Sequence, residues 1–271
     1  MQFGIEVVPF GEYSDPRPVV ELAQAAEDAG WDALWIWDHV VFPYGAGDPW
    51  ITLAAVAAST QRIKLVTGVA PLPRYQPYLL ARTLTALDRL SGGRVVFGTG
   101  AGADFDFVPF AVATDAKVRA AMLDEGLNLL AQLLSGAETT HHGAHYTADA
   151  VRIAPSPLQQ PRIPVWIGGA SPAALRRAAH WDGWIIGVFD EKQNVTTPPE
   201  QIAQQVDYIR RHRHVDAPST WPSTAPRRTP TTTSSPASSP EAGATWWFEG
   251  IFGSRGDHAA MLRRIHAGPP K

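Results

Sequence analysis

The chain of 271 residues contains no cysteine. This excludes disulfide bonds, thiolate metal sites and cysteine nucleophiles, but it does not by itself fix the redox compartment. An excess of charge of one sign is also missing, because 23 basic and 26 acidic residues give a net charge of -3 and are spread without long runs. Such a balance provides no strong field for nucleic acid or for an anionic membrane surface. We therefore expect a small-molecule partner.

Long apolar segments and a leader peptide are lacking as well. No apolar stretch is long enough to span a bilayer, and Met1 runs almost directly into a strand-like segment, 3–8, without a basic and then apolar leader. We therefore expect a cytoplasmic protein with no membrane partner. A nucleophilic hydrolase is not favoured either, since no exposed serine elbow is found.

The sequence does contain an alternation of strand-like and helix-like segments. Apolar runs of strand type lie at 3–8, 33–37, 64–70, 94–99, 165–167, 184–188 and 245–248, and apolar residues at helical spacing lie at 18–29, 50–59, 77–90, 117–134, 199–212 and 257–266. Strands that alternate with helices predict a parallel sheet, and roughly 250 residues is the usual size of a (β/α)8 barrel. We predict a single α/β domain over 1–271, folded as a TIM-type (β/α)8 barrel.

The first interruption of this alternation is at 141–153, which is predicted to be an inserted hairpin with Gly143 at its turn. The segment carries His141, His142 and His145. None of these histidines has an acidic or histidine partner at a recognisable zinc-site spacing, so no metal site is expected.

The second interruption is at 216–240, where six prolines occur with almost no aliphatic residue. A central barrel strand cannot have this composition, and too little apolar area is available to offset the entropy of ordering the chain. We predict an irregular, disordered segment that replaces the seventh βα unit of the barrel.

The segment 164–184, PVWIGGASPAALRRAAHWDGW, reads as strand, glycine turn and capped helix. Ser171 stands at the N-cap position and proline follows at the first helical position. The amides and dipole of such a helix start attract a phosphate or carboxylate, and Arg176 or Arg177 could add charge-assisted donors. The alternative is an ordinary βα connection whose arginines are simply solvated.

Chemistry in a barrel of this kind lies at the carboxyl ends of the strands. Asp38 and His39 end the second strand, and a histidine beside a carboxylate suits proton transfer near neutral pH. A purely structural role, with Asp38 capping a turn and His39 packed among aromatic rings, remains open. Thr67, Gly68 and Val69 end the third strand, where they offer a hydroxyl and exposed backbone.

The fourth strand opens into the glycine-rich loop 98–102, GTGAG, which is followed by Asp104 and Asp106. A dinucleotide-binding fold is disfavoured, because the third glycine comes one residue early and no helix begins at once. Together the strand ends describe an acid/base patch, glycine-lined walls and a phosphate grip, which suit a planar cofactor that carries a phosphate.

These strand ends, in this order, resemble the bacterial luciferase-like monooxygenase superfamily, particularly its flavin- or coenzyme F-420-dependent oxidoreductases. The resemblance covers most of the chain and rests on FGIEVVP, AAEDAGWDALWIWDHV, RIKLVTGVAPLPRYQPYLLARTLTALDRLSGGRVVFGTGAG, LDEGLNLL, PVWIGGASPAALRRAAHWDGW and AGATWWFEGI. It implies a (β/α)8 barrel that binds FMN or coenzyme F-420 at its carboxyl-end mouth and exchanges a hydride, or activates oxygen, on a small organic substrate. It also makes a homodimer a reasonable expectation.

The resemblance assigns roles to individual residues. His39, with Asp38 beside it, matches the catalytic histidine near the cofactor ring, and the third-strand end matches the place of a non-proline cis peptide that supports the ring face. The residues that it implies as cofactor-binding are Thr67, Gly68, Val69, Gly100, Gly168, Gly169, Ala170, Ser171 and Arg176.

Two features separate the chain from some members of this superfamily. Relatives that oxidise glucose 6-phosphate keep a glutamate after the fourth-strand glycines and a tryptophan after the histidine, where this chain has 101–105 and 42–44, so that substrate is not expected. Because of the segment 216–240, a non-catalytic paralogue that keeps the fold stays open as an alternative. A metal-free barrel lyase that uses Asp38 and His39 is a third hypothesis.

Overall fold

The computed structural model describes residues 1–42, 45–186, 196–213 and 243–270. The predicted irregular segment 216–240, and with it the question of the seventh βα unit, lies outside the described residues. So do the last residues of the strand predicted over 184–188.

A parallel sheet forms the centre of the fold. Its strands are β1 (Gln2–Val7), β2 (Ala33–Ile36), β3 (Lys64–Thr67), β4 (Val95–Thr99), β7 (Val165–Gly168), β8 (Gly183–Ile185) and β9 (Trp246–Ile251), and β5 (Thr139–His142) and β6 (Thr147–Val151) are separate from it. Neighbouring strands follow the order β8-β7-β4-β3-β2-β1-β9, and every pair in this sheet is parallel.

Helices follow most of these strands and cover the outside of the sheet. They are α1 (Pro16–Asp28), α2 (Pro49–Ser59), α3 (Pro77–Ser91), α4 (Ala116–Leu134), α5 (Pro172–His180), α6 (Pro199–His212) and α7 (His258–His266). Five of the described helices begin directly after an N-cap residue whose side chain accepts a hydrogen bond from an amide of the first turn. These caps are Asp15, Asp48, Asp115, Ser171 and Asp257.

The alternation of side chains along each strand produces two apolar layers. In β2, Leu34 and Ile36 pack outward against the helices, whereas Ala33 and Trp35 belong to a second cluster on the inner face. The inner cluster also joins strands that are far apart in the sheet, since the rings of Trp166 on β7 and Trp246 on β9 lie 5.6 Å apart. The sheet is therefore strongly curled, which agrees with a luciferase-like barrel.

Seven parallel strands are present in the described part of the chain, with β8 and β9 at the two ends of the order. The short strands β5 and β6 form a separate antiparallel pair in the region predicted as a hairpin. Glu125 on α4 holds its turn, because it accepts hydrogen bonds from the amides of His145 and Tyr146 and lies 3.1 Å from Nε2 of His141. These histidines thus have a structural partner.

Candidate active site

A cavity of about 410 Å³ opens at the carboxyl ends of the strands. Its size is within the range of small-molecule sites, roughly 300–1,000 Å³. Loops after five strands supply its lining, which includes Trp37, Asp38, His39, Gly68, Val69, Gly100, Ala101, Gly102, Asp106, Gly168, Gly169, Ala170, Ser171, Arg177 and Ile186. The structure therefore brings nine of the eleven predicted site residues to the lining of this cavity, including the whole loop 168–171, and only Thr67 and Arg176 are not part of it.

His39 is held by a carboxylate from another loop. Its Nδ1 lies 2.6 Å from Oδ2 of Asp106, and Oδ1 of Asp106 accepts a hydrogen bond of 2.9 Å from the amide of Val40. An ionised carboxylate can only accept, so this contact places the proton of a neutral imidazole on Nδ1 and leaves Nε2 as the remaining polar atom. Burial raises the pKa of Asp106, but the hydrogen bonds from His39 and Val40 outweigh it, and the net direction is downward.

The Asp38 carboxylate is bound by Arg74 and Tyr75 rather than by His39, its neighbour in sequence. This carboxylate forms an ion pair with Arg74 and accepts a hydrogen bond of 2.6 Å from the hydroxyl of Tyr75. Burial raises the pKa of Asp38, and Arg74 and Tyr75 oppose that rise. Arg74 also lies 3.6 Å from Asp106 and so connects the two carboxylates. In the structure Asp106, and not Asp38, is the carboxylate that contacts His39, whereas Asp38 lines the cavity and holds Arg74.

A backbone shelf forms the wall of the cavity at the end of β3. The peptide bond between Gly68 and Val69 is cis, as the resemblance implies. The indole Nε1 of Trp35 donates a hydrogen bond of 2.7 Å to the carbonyl of Gly68. A Cβ on Gly68 would lie 1.3 Å from that Nε1, so only glycine fits here. Gly100, across the cavity, has more room, since a Cβ there would meet its nearest atom, Cγ2 of Val69, at 3.5 Å.

Thr67 does not offer its hydroxyl to the cavity, contrary to the prediction. The side chain is buried, its hydroxyl donates to the carbonyl of Gly98 over 2.8 Å, and it accepts from the amide of Gly98 over 2.9 Å. Both hydrogen-bonding functions of the hydroxyl are therefore used to tie β3 to β4. Thr67 supports the shelf from behind and does not line the cavity.

The loop 168–171, which we call the anion loop, has the geometry predicted from its sequence. Gly169 adopts a φ of 111°, which a side chain would rarely tolerate. Ser171 caps α5 by accepting a hydrogen bond of 3.2 Å from the amide of Ala174, and Nε1 of Trp184 donates to the carbonyl of Gly169 over 2.7 Å. The start of α5 thus opens onto the cavity with its positive dipole end and with amides that have no intrahelical acceptor.

Only one of the two arginines of α5 lines the cavity, and it is Arg177 rather than Arg176. Arg177 lines the main cavity and forms an ion pair with Asp124 on α4, with 2.8 Å between Nη2 and Oδ2. Arg176 does not line this cavity and faces a separate depression beside Asn128 and His180. Successive helical residues are about 100° apart, so only one of two neighbours can face the mouth. The predicted contact of Arg176 with the cofactor is therefore not supported.

Glu6 on β1 is a buried carboxylate that the sequence analysis did not single out. Nε1 of Trp37 donates a hydrogen bond of 2.5 Å to its Oε1, and Trp37 lines the cavity. Burial raises the pKa of Glu6 to about 7, against the opposing effects of Trp37 and Arg255. A glutamate in the middle of an apolar strand, FGIEVV, is the signal that could have identified it.

No group of three or more histidine, aspartate or glutamate side chains is arranged to hold a metal ion in the part of the chain that the structure describes. Among the same residues, no helix combines the length and the apolar character needed to cross a membrane.

The chain is similar in sequence to known oxidoreductases. The chain is 36% identical over 183 residues to an F-420-dependent glucose-6-phosphate dehydrogenase of Nakamurella multipartita, an alignment that covers 64% of this chain and 53% of the relative. It is 31% identical over 193 residues to a 5,10-methylenetetrahydromethanopterin reductase of Archaeoglobus fulgidus, covering 71% of this chain and 54% of the relative. The chain thus spans about half the length of these curated relatives.

A solved structure shares the fold. The monooxygenase from Streptomyces bottropensis superposes with a TM-score of 0.73 at 24% identity, covering 86% of this chain and 70% of that protein. The family model described as luciferase-like monooxygenase matches residues 1–242. The chain therefore belongs to the luciferase-like monooxygenase family.

Proposed function

We propose that this chain is an oxidoreductase that binds coenzyme F-420 or FMN in the cavity at the carboxyl ends of the strands and exchanges a hydride with a small organic substrate. The observation that carries the proposal is that two functional features face the same cavity. The anion loop and the pair of His39 and Asp106 both face one cavity of about 410 Å³, and its walls are glycine-rich.

The residues present fit a planar cofactor with a phosphate. The start of α5 and the Ser171 cap supply the anion-binding end. The shelf at Gly68 and Val69 offers a flat backbone surface, and the space beside Gly100 stays open because that residue has no side chain. When bound, the (deaza)flavin supplies two-electron hydride chemistry, and FMN adds the activation of oxygen.

His39 is the proposed acid/base. Hydride exchange at a carbon that bears a hydroxyl or carbonyl also requires a proton to leave or reach the oxygen. Asp106 fixes the imidazole so that Nε2 can take or give that proton. Trp37, which Glu6 holds by a hydrogen bond, and the shelf at Gly68 and Val69 would border the bound cofactor, and Arg177 is paired with Asp124 at the edge of the cavity.

Coenzyme F-420 is the cofactor that we favour. Relatives at 36%, 33% and 32% identity carry names that specify F-420 dependence. A structural neighbour crystallised with FMN is only 16% identical, a level at which the likeness concerns the fold alone. We further propose that residues 1–271 form one domain.

Anaerobic spectroscopy tests this function. The protein is mixed with oxidised F-420 and a panel of small alcohols, and with reduced F-420 and the matching ketones; FMN replaces F-420 in a parallel series. We expect a substrate-dependent change in the cofactor spectrum with one of the two cofactors. Binding without any substrate-dependent change, over a broad panel, would favour the alternative of a non-catalytic paralogue. The lyase hypothesis requires turnover with no cofactor present.

A further inference from the structure

Two loops that contribute lining residues to the cavity, His39 after β2 and Asp106 after β4, also place large apolar side chains in solvent. These side chains, which we call the apolar rim, are Val40, Val41, Phe105, Val108, Phe110 and Val112, each between 44% and 53% exposed. Large apolar side chains that are exposed beside a cavity are typical of a surface that meets a partner or ligand.

The rim is continuous with an aromatic enclosure around His39. The ring of Phe105 lies 4.9 Å from the imidazole, and the rings of Phe42 and Trp37 lie 6.1 Å and 5.7 Å from it. Phe10 stacks on Phe42 with 3.8 Å between ring centroids. A molecule that approaches Nε2 of His39 from the mouth therefore passes between apolar and aromatic side chains.

Three arginines near this mouth, in the part of the chain that the structure describes, are paired with carboxylates. Arg74 pairs with Asp38, and Arg177 pairs with Asp124. The third cation, Arg119, is buried and pairs with Asp104, whose side chain is 74% exposed. An anionic substrate would have to displace one of these carboxylates or sit beside them without a cation, at a cost in desolvation.

We infer that the substrate of this site is an uncharged, apolar molecule that carries one hydroxyl or carbonyl group, and that the apolar rim binds its body. The inference rests on the proposed function. In the oxidising direction a bound oxidised deazaflavin or flavin would accept a hydride from the carbinol carbon. The hydroxyl proton passes to Nε2 of His39, and the alcohol becomes a ketone. Reduction of the ketone uses the same groups in reverse.

A matched pair of substrates tests the inference. Cyclohexanol is compared with an analogue that bears a carboxylate on the ring, at saturating cofactor. We expect kcat/KM to be about tenfold or more higher for cyclohexanol, because the three arginines described near the mouth are already paired with carboxylates. A preference for the anionic analogue would overturn the inference while leaving the proposed function intact.

Two variants of the rim residue Phe105 test whether the substrate binds at the apolar rim. In Phe105→Asp we expect KM for cyclohexanol to rise about tenfold, and in the milder Phe105→Ala about threefold, with the Kd of the cofactor unchanged. Leu158→Asp is the control, since Leu158 is 48% exposed but does not line the cavity, and its amide donates a hydrogen bond to Asp88 near the end of α3. We expect no change of KM in that variant.

A binding measurement gives a readout that does not depend on turnover. Cyclohexanone and the oxidised cofactor cannot react with each other, so saturation-transfer NMR on the loaded protein reports binding alone. We expect a signal with wild type and Leu158→Asp and a much weaker one with Phe105→Asp. If Phe105→Asp instead leaves KM and the NMR signal unchanged but alters the molar mass measured by light scattering, the rim is a contact between copies of this chain, and the inference is wrong.

Cofactor binding distinguishes a failure of this inference from a failure of the proposed function on which it rests. Cofactor binding is measured first, by fluorescence. If neither F-420 nor FMN binds, the proposed function fails and the inference falls with it. If one binds and only charged substrates react, the inference alone fails.

Discussion

Nδ1 of His39 lies 2.6 Å from Oδ2 of Asp106, although 67 positions separate the two residues in the chain. Asp106 is almost fully buried, whereas the imidazole is 22% exposed. The carboxylate therefore acts on chemistry in the cavity only through the ring that it orients. This makes Asp106 a positioning residue for the proposed acid/base.

We expect Asp106→Asn to lower kcat about 10- to 100-fold, because the amide no longer fixes the proton of the imidazole on Nδ1. The Kd of the cofactor should be nearly unchanged, since Asp106 does not belong to the anion loop. The pH profile of kcat should also shift, because the charge beside His39 is lost. Steady-state kinetics over pH 5–9 with fluorescence titration of the cofactor measure these quantities.

A double-mutant cycle distinguishes this role from a purely structural one. In a His39→Asn background, Asp106→Asn should reduce kcat by no further amount, since the residue that it positions is already absent. Reductions that multiply in the double variant would contradict the account and would indicate that Asp106 acts independently, for example through the Val40 amide that it also binds.

The anion loop allows a substitution that changes charge while keeping the helix cap. Aspartate caps helices about as well as serine, so Ser171→Asp should leave the melting temperature nearly unchanged. The added negative charge should raise the Kd of a phosphate-bearing cofactor about 10- to 100-fold, and salt should reduce this effect. Isothermal titration at two salt concentrations measures both.

Ser171→Asn is the matched control for that variant. Asparagine also caps a helix but carries no charge. We expect its Kd to stay within about threefold of wild type. An equal loss of affinity in both variants would show that the side chain at this position matters for its shape, and that no anion lies beside it.

Two glycines of the cavity wall should respond very differently to the same change. A Cβ on Gly68 would lie 1.3 Å from Nε1 of Trp35, so Gly68→Ala should destabilise the protein by about 3 kcal/mol or more. Gly100→Ala meets its nearest atom only at 3.5 Å, so the protein should keep its stability and lose cofactor affinity through the lost space. Chemical denaturation and cofactor titration separate the two effects.

Glu6 makes the stability depend on pH. Its pKa is raised by burial to about 7 from 4.5, so between these values the folded protein holds one proton more than the unfolded chain. Stability therefore falls as the pH rises through this window, by up to about 3 kcal/mol. Glu6→Gln keeps an acceptor for Trp37 and removes the charge.

The difference in unfolding free energy between wild type and Glu6→Gln isolates this effect from other titrating groups. We expect the free energy of unfolding of Glu6→Gln, relative to that of wild type, to rise steadily from pH 5 to pH 7. At pH 8 the variant should be the more stable protein. A difference that stays constant over this range would mean that Glu6 titrates near its ordinary pKa.

The sequence predicted the frame of the fold because local signals agree with one another. Each of β1 to β4 coincides with an apolar run in the sequence, and the N-cap residues Asp48 and Asp115 directly precede α2 and α4. The anion loop was predicted for the same reason, since its glycines, serine and proline are consecutive. Local sequence patterns did not predict which side chains from different loops pair with each other.

Asp106 illustrates this limit. It was visible as one of two aspartates after the fourth strand, but only the folded loop shows that it, and not Asp104, reaches His39. Asp38 illustrates the converse, because adjacency in sequence suggested a pair with His39 that Arg74 and Tyr75 prevent. Residues next to each other on a strand end point in different directions.

The measurement that tests the account most directly is a fluorescence titration of wild type and Ser171→Asp with F-420 and with FMN. The account predicts saturable binding of one cofactor by wild type, and a Kd about 10- to 100-fold higher in a variant that remains equally well folded by circular dichroism. Folded wild-type protein that binds neither cofactor would contradict the claim that this cavity is a (deaza)flavin site.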